Sequence, residues 1–410
     1  MSGAHCRFCD AVLTESFADL GMSPLSNAFV AADHAAHMEK FYPLHAYVCR
    51  ECRLVQLAAF ESPAHIFGDY LYFSSYAESW LRHAAAYAAL MQARFGIGAE
   101  SKVIEIASND GYLLQYFQAA GVPVLGVEPA ANVAAVAAQK NIPTEVAFFG
   151  RRTAARLREA GHRPDLIVAN NVLAHVPDLN DFVAGLAILL GAGGRITIEF
   201  PHLQKLMEEN QFDTIYHEHF SYFSFITAER ILAHHGLTIF DVDELPTHGG
   251  SLRLYARHAA EAGPVREAVD ALRAREIAAG LDGVAAYRRF AAQVVDIKCG
   301  LLEFLIAARR AGKRVAAYGA PAKGNTLLNY CGVREDMIGF TVDRSPHKQG
   351  MLLPGTHIPI HHPDAIFTAK PDYLLILPWN LREEIMQQMA AIRDWGGKFV
   401  VPIPSLQVLA

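Results

Sequence analysis

From Lys102 onward the chain alternates short apolar runs with amphipathic stretches. Lys102-Val-Ile-Glu-Ile-Ala107 reads as a strand, Ser108-Asn-Asp-Gly111 as its turn, and Tyr112–Ala120 as a helix. Val122–Val127 is a second strand, closed by Glu128-Pro129, and Ala130–Lys140 is helical. Asp165–Ala169 is a strand, Leu179–Leu190 a helix, and Arg195–Glu199 a strand after a break at Gly194. Strands alternating with helices predict βαβ units and a mainly parallel sheet, because parallel neighbours need a long crossover. An Ala/Arg/Leu-rich helical stretch from about 264 to 311 interrupts the pattern. Alternation then resumes with strands at Arg314–Tyr318, Ile338–Val342, Tyr373–Leu377 and Lys398–Val401, a turn at Gly319–Gly324 and a helix at Asn325–Tyr330. Residues 71–95 read as a loop followed by an amphipathic helix, and 1–70 as a separate module. The expected architecture is α/β: an N-terminal module (1–70), a central domain (71–263), a helical connector (264–311) and a smaller Rossmann-like domain (312–410).

Composition adds constraints. The 410 residues are 52% hydrophobic, enough to fill two or three cores, so wholesale disorder is excluded. Lys and Arg number 36 against 42 Asp and Glu, a net charge of −6. That excludes a globally basic nucleic-acid binder but not a local basic groove. No run approaches the ~18 apolar residues of a membrane helix. The start, Met-Ser-Gly-Ala-His-Cys, lacks the cationic and apolar regions of a secretory signal. A soluble, cytoplasmic protein is expected, with reduced thiols and neither membrane nor nucleic acid as partner.

In that setting the cysteines point to metal. Cys6-x2-Cys9 and Cys49-x2-Cys52 are two knuckles in polar, turn-like sequence, separated by residues 10–48. Four thiolates can converge tetrahedrally on Zn²⁺ and leave no open position, which favours a structural over a catalytic ion. Unliganded thiols or a redox CxxC are the alternatives. Cys299 and Cys331 stand alone in apolar sequence and are expected to be buried.

The first βαβ unit carries the cofactor chemistry. Glu105 lies near the end of its strand, Asn109, Asp110 and Gly111 form its turn, and Glu128 closes the next strand. Asn170 and Asn171 close the one after. Ligands of open α/β sheets bind at the carboxyl ends of the strands, where an acid can hold a ribose diol. The turn lacks GxGxxG and any basic residue for a pyrophosphate. Those absences favour an adenosine cofactor without diphosphate, S-adenosylmethionine, whose sulfonium suits the acids. An ordinary polar strand-turn-helix is the alternative.

The densest polar-aromatic cluster runs from Asp213 through Tyr216-His217-Glu218-His219-Phe220 to Tyr222 and Ser224. One reading is a metal held by two of its histidines and His175; another is a hydrogen-bonded core. The sharper one is general-base chemistry, with a histidine whose tautomer a neighbouring carboxylate holds. Removing a proton next to a ketone also needs donors for the enolate oxygen, for which Tyr72, Tyr216 and His175 are candidates. The polar turn Thr247-His-Gly-Gly-Ser-Leu-Arg253 offers amides and an arginine nearby, or is simply a hairpin turn. His34, His37, His361 and His362 are expected on the surface.

These residues resemble a family. The cysteine knuckles, Glu105–Gly111, Gly126-Val-Glu-Pro129, Tyr216–Phe220, His248-Gly-Gly250 and Gly319-Ala-Pro-Ala-Lys323 are similar to the S-adenosylmethionine-dependent sugar C-methyltransferases, which act on nucleotide-linked keto-deoxysugars. The resemblance runs over essentially the whole chain. It implies a zinc module covering part of the active site, a central class I methyltransferase-type domain and a C-terminal domain for the substrate's nucleotide. It also implies His219 as the base, with Glu218, Tyr216, His175 and Tyr72 around it. Glu105, Ala107, Asn109, Asp110, Gly111, Glu128, Pro129, Asn170 and Asn171 would hold the cofactor. The substrate would meet His248, Gly249 and Gly250 and, at its nucleotide part, Ala320, Lys323, Asn325, Asp343, Trp379 and Asn380. Ala107 departs from the common pattern, which has Gly there, and His217 leaves open which histidine faces the substrate. An O- or N-methyltransferase for another small molecule, and a non-catalytic zinc-knuckle binding protein, are the competing functions. Nucleotide, sugar, ring carbon and oligomeric state are not legible.

Overall fold

A computed structural model describes residues 4–60, 74–76, 78–261 and 263–410. The N-terminal part contributes strands β1 (Glu15–Ser23), β2 (Val30–Ala31), β3 (Tyr42–Val48) and β4 (Val55–Leu57). The central part contributes β5 (Val103–Ile106), β6 (Val124–Val127), β7 (Thr144–Glu145), β8 (Leu166–Asn170), β9 (Arg195–Pro201), β10 (Ser221–Tyr222), β11 (Leu237–Leu245) and β12 (Ser251–His258). Seven of these form one sheet in the order β11-β12-β9-β8-β5-β6-β7. The run from β9 to β7 is parallel, whereas β12 is antiparallel to both β9 and β11. β5 and β8 are buried at every position, as parallel strands covered on both faces must be. The crossover direction reverses between β5 and β8, which opens a crevice at their carboxyl ends.

β10 does not join that sheet. It pairs with β4 in a four-stranded sheet ordered β1-β3-β4-β10. Residues immediately after His219 thus complete the N-terminal module.

The C-terminal part adds β13 (Val315–Tyr318), β14 (Thr341–Val342), β15 (Met351–Leu352), β16 (Ile360–His361), β17 (Tyr373–Ile376), β18 (Lys398–Val401) and β19 (Gln407–Leu409). Six of them form a sheet ordered β16-β14-β13-β17-β18-β19, parallel except for β19. This is a second, smaller Rossmann-like layer. β15 instead pairs with β2 of the N-terminal module.

The helical stretch before it is two helices, Glu267–Ala278 and Ala285–Arg310. Val269 and Leu272 of the first pack into the core of the central sheet, while the second packs on β1, with Phe290 stacked 4.7 Å from Phe17. Its buried stripe (Tyr287, Phe290, Val294, Ile297, Leu301) puts Cys299 on the opposite side. Cys299 is therefore exposed rather than buried, whereas Cys331 is buried as expected. His34, His37, His361 and His362 lie on the surface.

The module bridges the other two units. Its cysteine end shares a core with β5, β8 and β9, whereas Phe17, Leu44 and Val48 share a core with the C-terminal sheet. Among the described residues no helix is long and apolar enough to cross a membrane.

Candidate active site

Two tight turns create the metal site. In each, the backbone amide four residues after the first cysteine returns to its carbonyl: Asp10 to Cys6 at 2.9 Å and Arg53 to Cys49 at 3.1 Å. Both closing residues have positive φ, 62° and 65°. The four Sγ atoms lie within 4.8 Å of one another, with Cys6–Cys52 and Cys9–Cys49 at 3.5 Å. Tetrahedral Zn–S bonds of about 2.3 Å place sulfurs about 3.8 Å apart, so the four thiolates are grouped closely enough to hold Zn²⁺. Gln56 Nε2 donates to Cys6 Sγ, the kind of outer support that orients a ligand sulfur.

At the carboxyl ends of β5, β6 and β8 the expected cofactor residues come together. Ala107 and Asn109 have φ of 57° and 50°. The left-handed Ala107 explains why glycine suits that position. Gly126 permits the close approach of this turn, since a Cβ there would stand 2.3 Å from Ser108 Oγ. Glu128 accepts from the amides of Asn109 at 3.0 Å and Ala130 at 2.9 Å, tying the turn to the end of β6. Burial, with Glu128 adding to it, pushes the Glu105 carboxyl well above the usual range, and burial also raises Glu128. Buried Glu105 Oε2, Ser108 Oγ, Asp110 Oδ1, Asn170 Oδ1 and Asn171 Nδ2 have no hydrogen-bond partner among the described residues. Unsatisfied acceptors beside crowded carboxyls suit a ligand bearing ammonium, sulfonium and hydroxyl groups, so the donor set fits S-adenosylmethionine. Glu128→Ala removes both amide contacts. It is expected to weaken S-adenosylhomocysteine binding at least tenfold, on the order of 1.4 kcal/mol, read by calorimetry.

Trp80 and His83, which the sequence pattern did not single out, line the same crevice. Trp80 stacks on His83 at 4.9 Å and lies 6.1 Å from Tyr112 and 5.1 Å from His248. His83 bonds Glu199, which also accepts from Arg253 at 2.6 Å across the β9–β12 ladder. Arg253 is therefore committed to Glu199 and is not offered to a ligand. Thr247–Gly250 is the turn of the β11–β12 hairpin. Helical spacing of Trp80 and His83 along Glu78–Phe95 was the available signal for this wall.

The histidine cluster resolves into two faces. His217 is buried against the module, its ring 5.8 Å from Tyr42 and Nε2 3.3 Å from the Pro43 carbonyl. His219 turns the other way, 4.7 Å from His175 and 4.0 Å from Tyr216. The opposed rings do not form the alternative metal site of two of these histidines with His175; among the described residues only the four cysteines converge for a metal. His219 Nδ1 donates to the Thr214 carbonyl at 3.0 Å, which leaves Nε2 with the lone pair, 2.9 Å from the Tyr216 hydroxyl. Burial first, then His175, His248 and Lys323, holds the His219 pKa well below the ordinary histidine value. The ring is neutral, and able to act as a base, at neutral pH.

Glu218 does not hold that tautomer. Its carboxylate accepts from Asn27 of the module at 2.6 Å, and burial pushes it up to about 6. A backbone carbonyl does the job expected of the acid. His175 Nδ1 donates to the Glu218 carbonyl at 2.8 Å, and burial pushes its pKa down to about 4. Its Nε2 is then an acceptor, so this tautomer does not offer the donor expected for an enolate oxygen. Tyr72 lies outside the described residues.

The C-terminal part closes the cleft. Lys323 lies 4.3 Å over the Trp379 ring and donates to Asn380 Oδ1 at 2.5 Å. The Trp379 indole donates to Asp213 at 2.8 Å. Asp343 accepts from the amides of Ala320 and Ser345, both at 2.8 Å. Asn325 donates to the Ser26 carbonyl of the module at 2.6 Å. Asp343 and Asn325 thus shape the domain edge as well as lining it.

A class I sheet with a polar cofactor crevice at its strand ends and a pair of cysteine knuckles defines an S-adenosylmethionine-dependent methyltransferase with a structural zinc module. Residues 77–242 match a family described as a methyltransferase domain, 6–67 one described as a zinc binding domain, and 246–404 one described as a C-methyltransferase C-terminal domain. The chain is 36% identical over 99% of its length, and 97% of the relative's, to the C-methyltransferase NovU of Streptomyces niveus. It belongs to that C-methyltransferase family. Among solved structures, it resembles magnesium protoporphyrin IX methyltransferase of Synechocystis PCC 6803, with 18% identity, TM-score 0.34 and coverage of 43% of this chain and 78% of that one. It likewise resembles 1,6-didemethyltoxoflavin-N1-methyltransferase of Burkholderia thailandensis, with 18% identity, TM-score 0.34 and coverage of 50% and 94%. At those scores neither likeness bears on function.

Proposed function

We propose that the protein transfers a methyl group to a carbon of a nucleotide-linked 4-keto-deoxysugar. His219 Nε2 removes the proton next to the ketone, and the resulting enolate carbon takes the methyl. S-adenosylmethionine, when bound, supplies that methyl on a sulfonium. The observation that carries the reading is the fixed tautomer of His219: Nδ1 is held by the Thr214 carbonyl, and the ring lies near His175 and His248 of the central domain and Lys323 of the C-terminal domain. A neutral imidazole kept from protonating by burial suits carbon-acid chemistry, which needs a base and a dry site. Tyr216 aligns Nε2, Glu218 anchors the loop to Asn27, and His175 walls the site. The edge formed by Ala320, Asn325, Asp343, Trp379 and Asn380 takes the nucleotide, and the His248–Gly250 turn approaches the sugar.

The test incubates the zinc-bound protein in deuterium oxide with S-adenosylhomocysteine and, in turn, uridine, thymidine and guanosine diphosphate 4-keto-6-deoxyhexoses. One of them is expected to gain deuterium next to the ketone and, with S-adenosylmethionine, a new carbon-bound methyl by NMR. Absence of both across the panel, with intact cofactor binding, overturns the substrate class.

A further inference from the structure

Forming an enolate places negative charge on the ketone oxygen, and that charge requires a donor. His175 cannot supply one in its observed tautomer, and the Tyr216 hydroxyl lies against His219 Nε2. Tyr72 lies outside the described residues, and among those described the cation at this place is Lys323. It stands in the first turn of the helix Ala322–Cys331, which is tied to the base-bearing loop by Thr326 Oγ1 donating to the Ile215 carbonyl at 3.1 Å. The Trp379 ring beneath Lys323 reaches the other wall, since a Cβ on Gly249 would stand 2.7 Å from its edge. Lys323 therefore lies between the loop leading to His219 and the turn carrying His248. Asp213, His219 and His248 are the titratable groups around it. The Lys323 ammonium donates to Asn380 and feels the Asp213 carboxylate, whose Oδ1 is buried without a partner, but among the described residues no carboxylate lies in ion-pair contact with it. A half-buried cation with no ion-pair partner is suited to an anionic ligand.

We propose that Lys323 is a catalytic residue: its ammonium hydrogen-bonds the ketone oxygen of the acceptor and stabilises the enolate made by His219. The inference rests on the keto-sugar reading above and differs from a contact to the nucleotide's phosphates. In the step, the C–H bond next to the ketone breaks and its proton goes to His219 Nε2. The electron pair forms the C=C bond, and the carbonyl pair moves to oxygen, which Lys323 holds without giving up a proton. The enolate carbon then bonds to the methyl as the S–CH3 bond breaks, its pair remaining on sulfur as the neutral thioether.

Burial lowers Lys323 to about 8, with Asp213 opposing. The ammonium is the active form, so exchange at saturating substrate should fall as pH rises through that value. The test measures deuterium exchange with the same diphosphate keto-sugars, with S-adenosylhomocysteine present. Lys323→Met is expected to lower the saturated exchange rate about 100-fold and to remove the alkaline limb, with S-adenosylhomocysteine affinity unchanged. A raised KM with the saturated rate within about threefold of wild type assigns Lys323 to the phosphates and overturns the proposal. If that variant does not fold, Asp213→Asn decides. It keeps an acceptor for Trp379 but removes the charge supporting Lys323, so the alkaline limb should move to lower pH; an unmoved limb overturns the proposal. Wild-type protein that binds S-adenosylhomocysteine but exchanges no sugar of the panel indicts the keto-sugar reading instead.

Discussion

Replacing His219 by alanine is expected to lower methyl transfer on the order of a thousandfold and abolish exchange next to the ketone, while S-adenosylhomocysteine affinity stays within about twofold. The expectation follows from three features of one ring. Its Nδ1–H is spent on the Thr214 carbonyl, so only Nε2 can take a proton. Its charge is opposed by burial and by His175, His248 and Lys323, so it is not protonated at neutral pH. Its contacts are with Thr214, Tyr216, His175 and Tyr222 rather than with the Glu105–Gly111 turn or Glu128, where we propose the cofactor is held, so cofactor affinity is expected to survive the change. A base with a depressed pKa loses function only when pH falls below that value. The acid limb of the wild-type rate profile is therefore expected below pH 6.5, the ordinary histidine value. Exchange kinetics and isothermal calorimetry on the same samples check both parts. A variant exchanging at the wild-type rate would remove His219 from the base role.

The second large effect is expected from the metal. Cys52→Ala should release the zinc, lower the melting temperature by more than ten degrees and cost most of the activity. Structural zinc contributes about 10–16 kcal/mol in small knuckle peptides, comparable with the whole stability of an ordinary domain. Here the consequence reaches the loop carrying His219. β4, which follows the second knuckle, pairs with β10, and the Leu57 amide donates to the Phe220 carbonyl at 3.0 Å, one residue beyond His219. Arg7, between the first pair of cysteines, donates to the carbonyls of Pro177 and Leu57. Elemental analysis should find one zinc per wild-type chain. A metal-free variant with undiminished melting temperature and exchange rate would show the knuckles to be dispensable.

The parallel strands were legible because their physics is one-dimensional. β5 and β8 are buried on both faces, so they appear in sequence as bare apolar runs between polar turns. The module's strands were not, because β1 alternates irregularly and carries buried Glu15, which is paired to Arg50 and Arg288. Of the hairpin β11–β12 only the turn was legible, because its strands carry Arg253 and Asp241, each buried with a charge partner. At the site, residue identities were legible but tautomers were not. What fixes His219 is the carbonyl of Thr214, and a backbone acceptor leaves no trace in side-chain identity. Glu218 looked like that partner by adjacency, yet successive residues do not share a face here, and its partner Asn27 lies in another unit.

The stretch from Ser26 to Glu39 binds the N-terminal module to the far unit through the Asn325–Ser26 bond, the β2–β15 pairing and the contacts of Glu39 with Gly355 and His357. Recombining this enzyme with a relative to change the acceptor it takes must therefore respect a seam that is discontinuous in sequence. A chimera joined only in the helical connector would pair a foreign C-terminal half with a strap shaped for another, whereas carrying residues 24–39 along with that half preserves both edges of the joint.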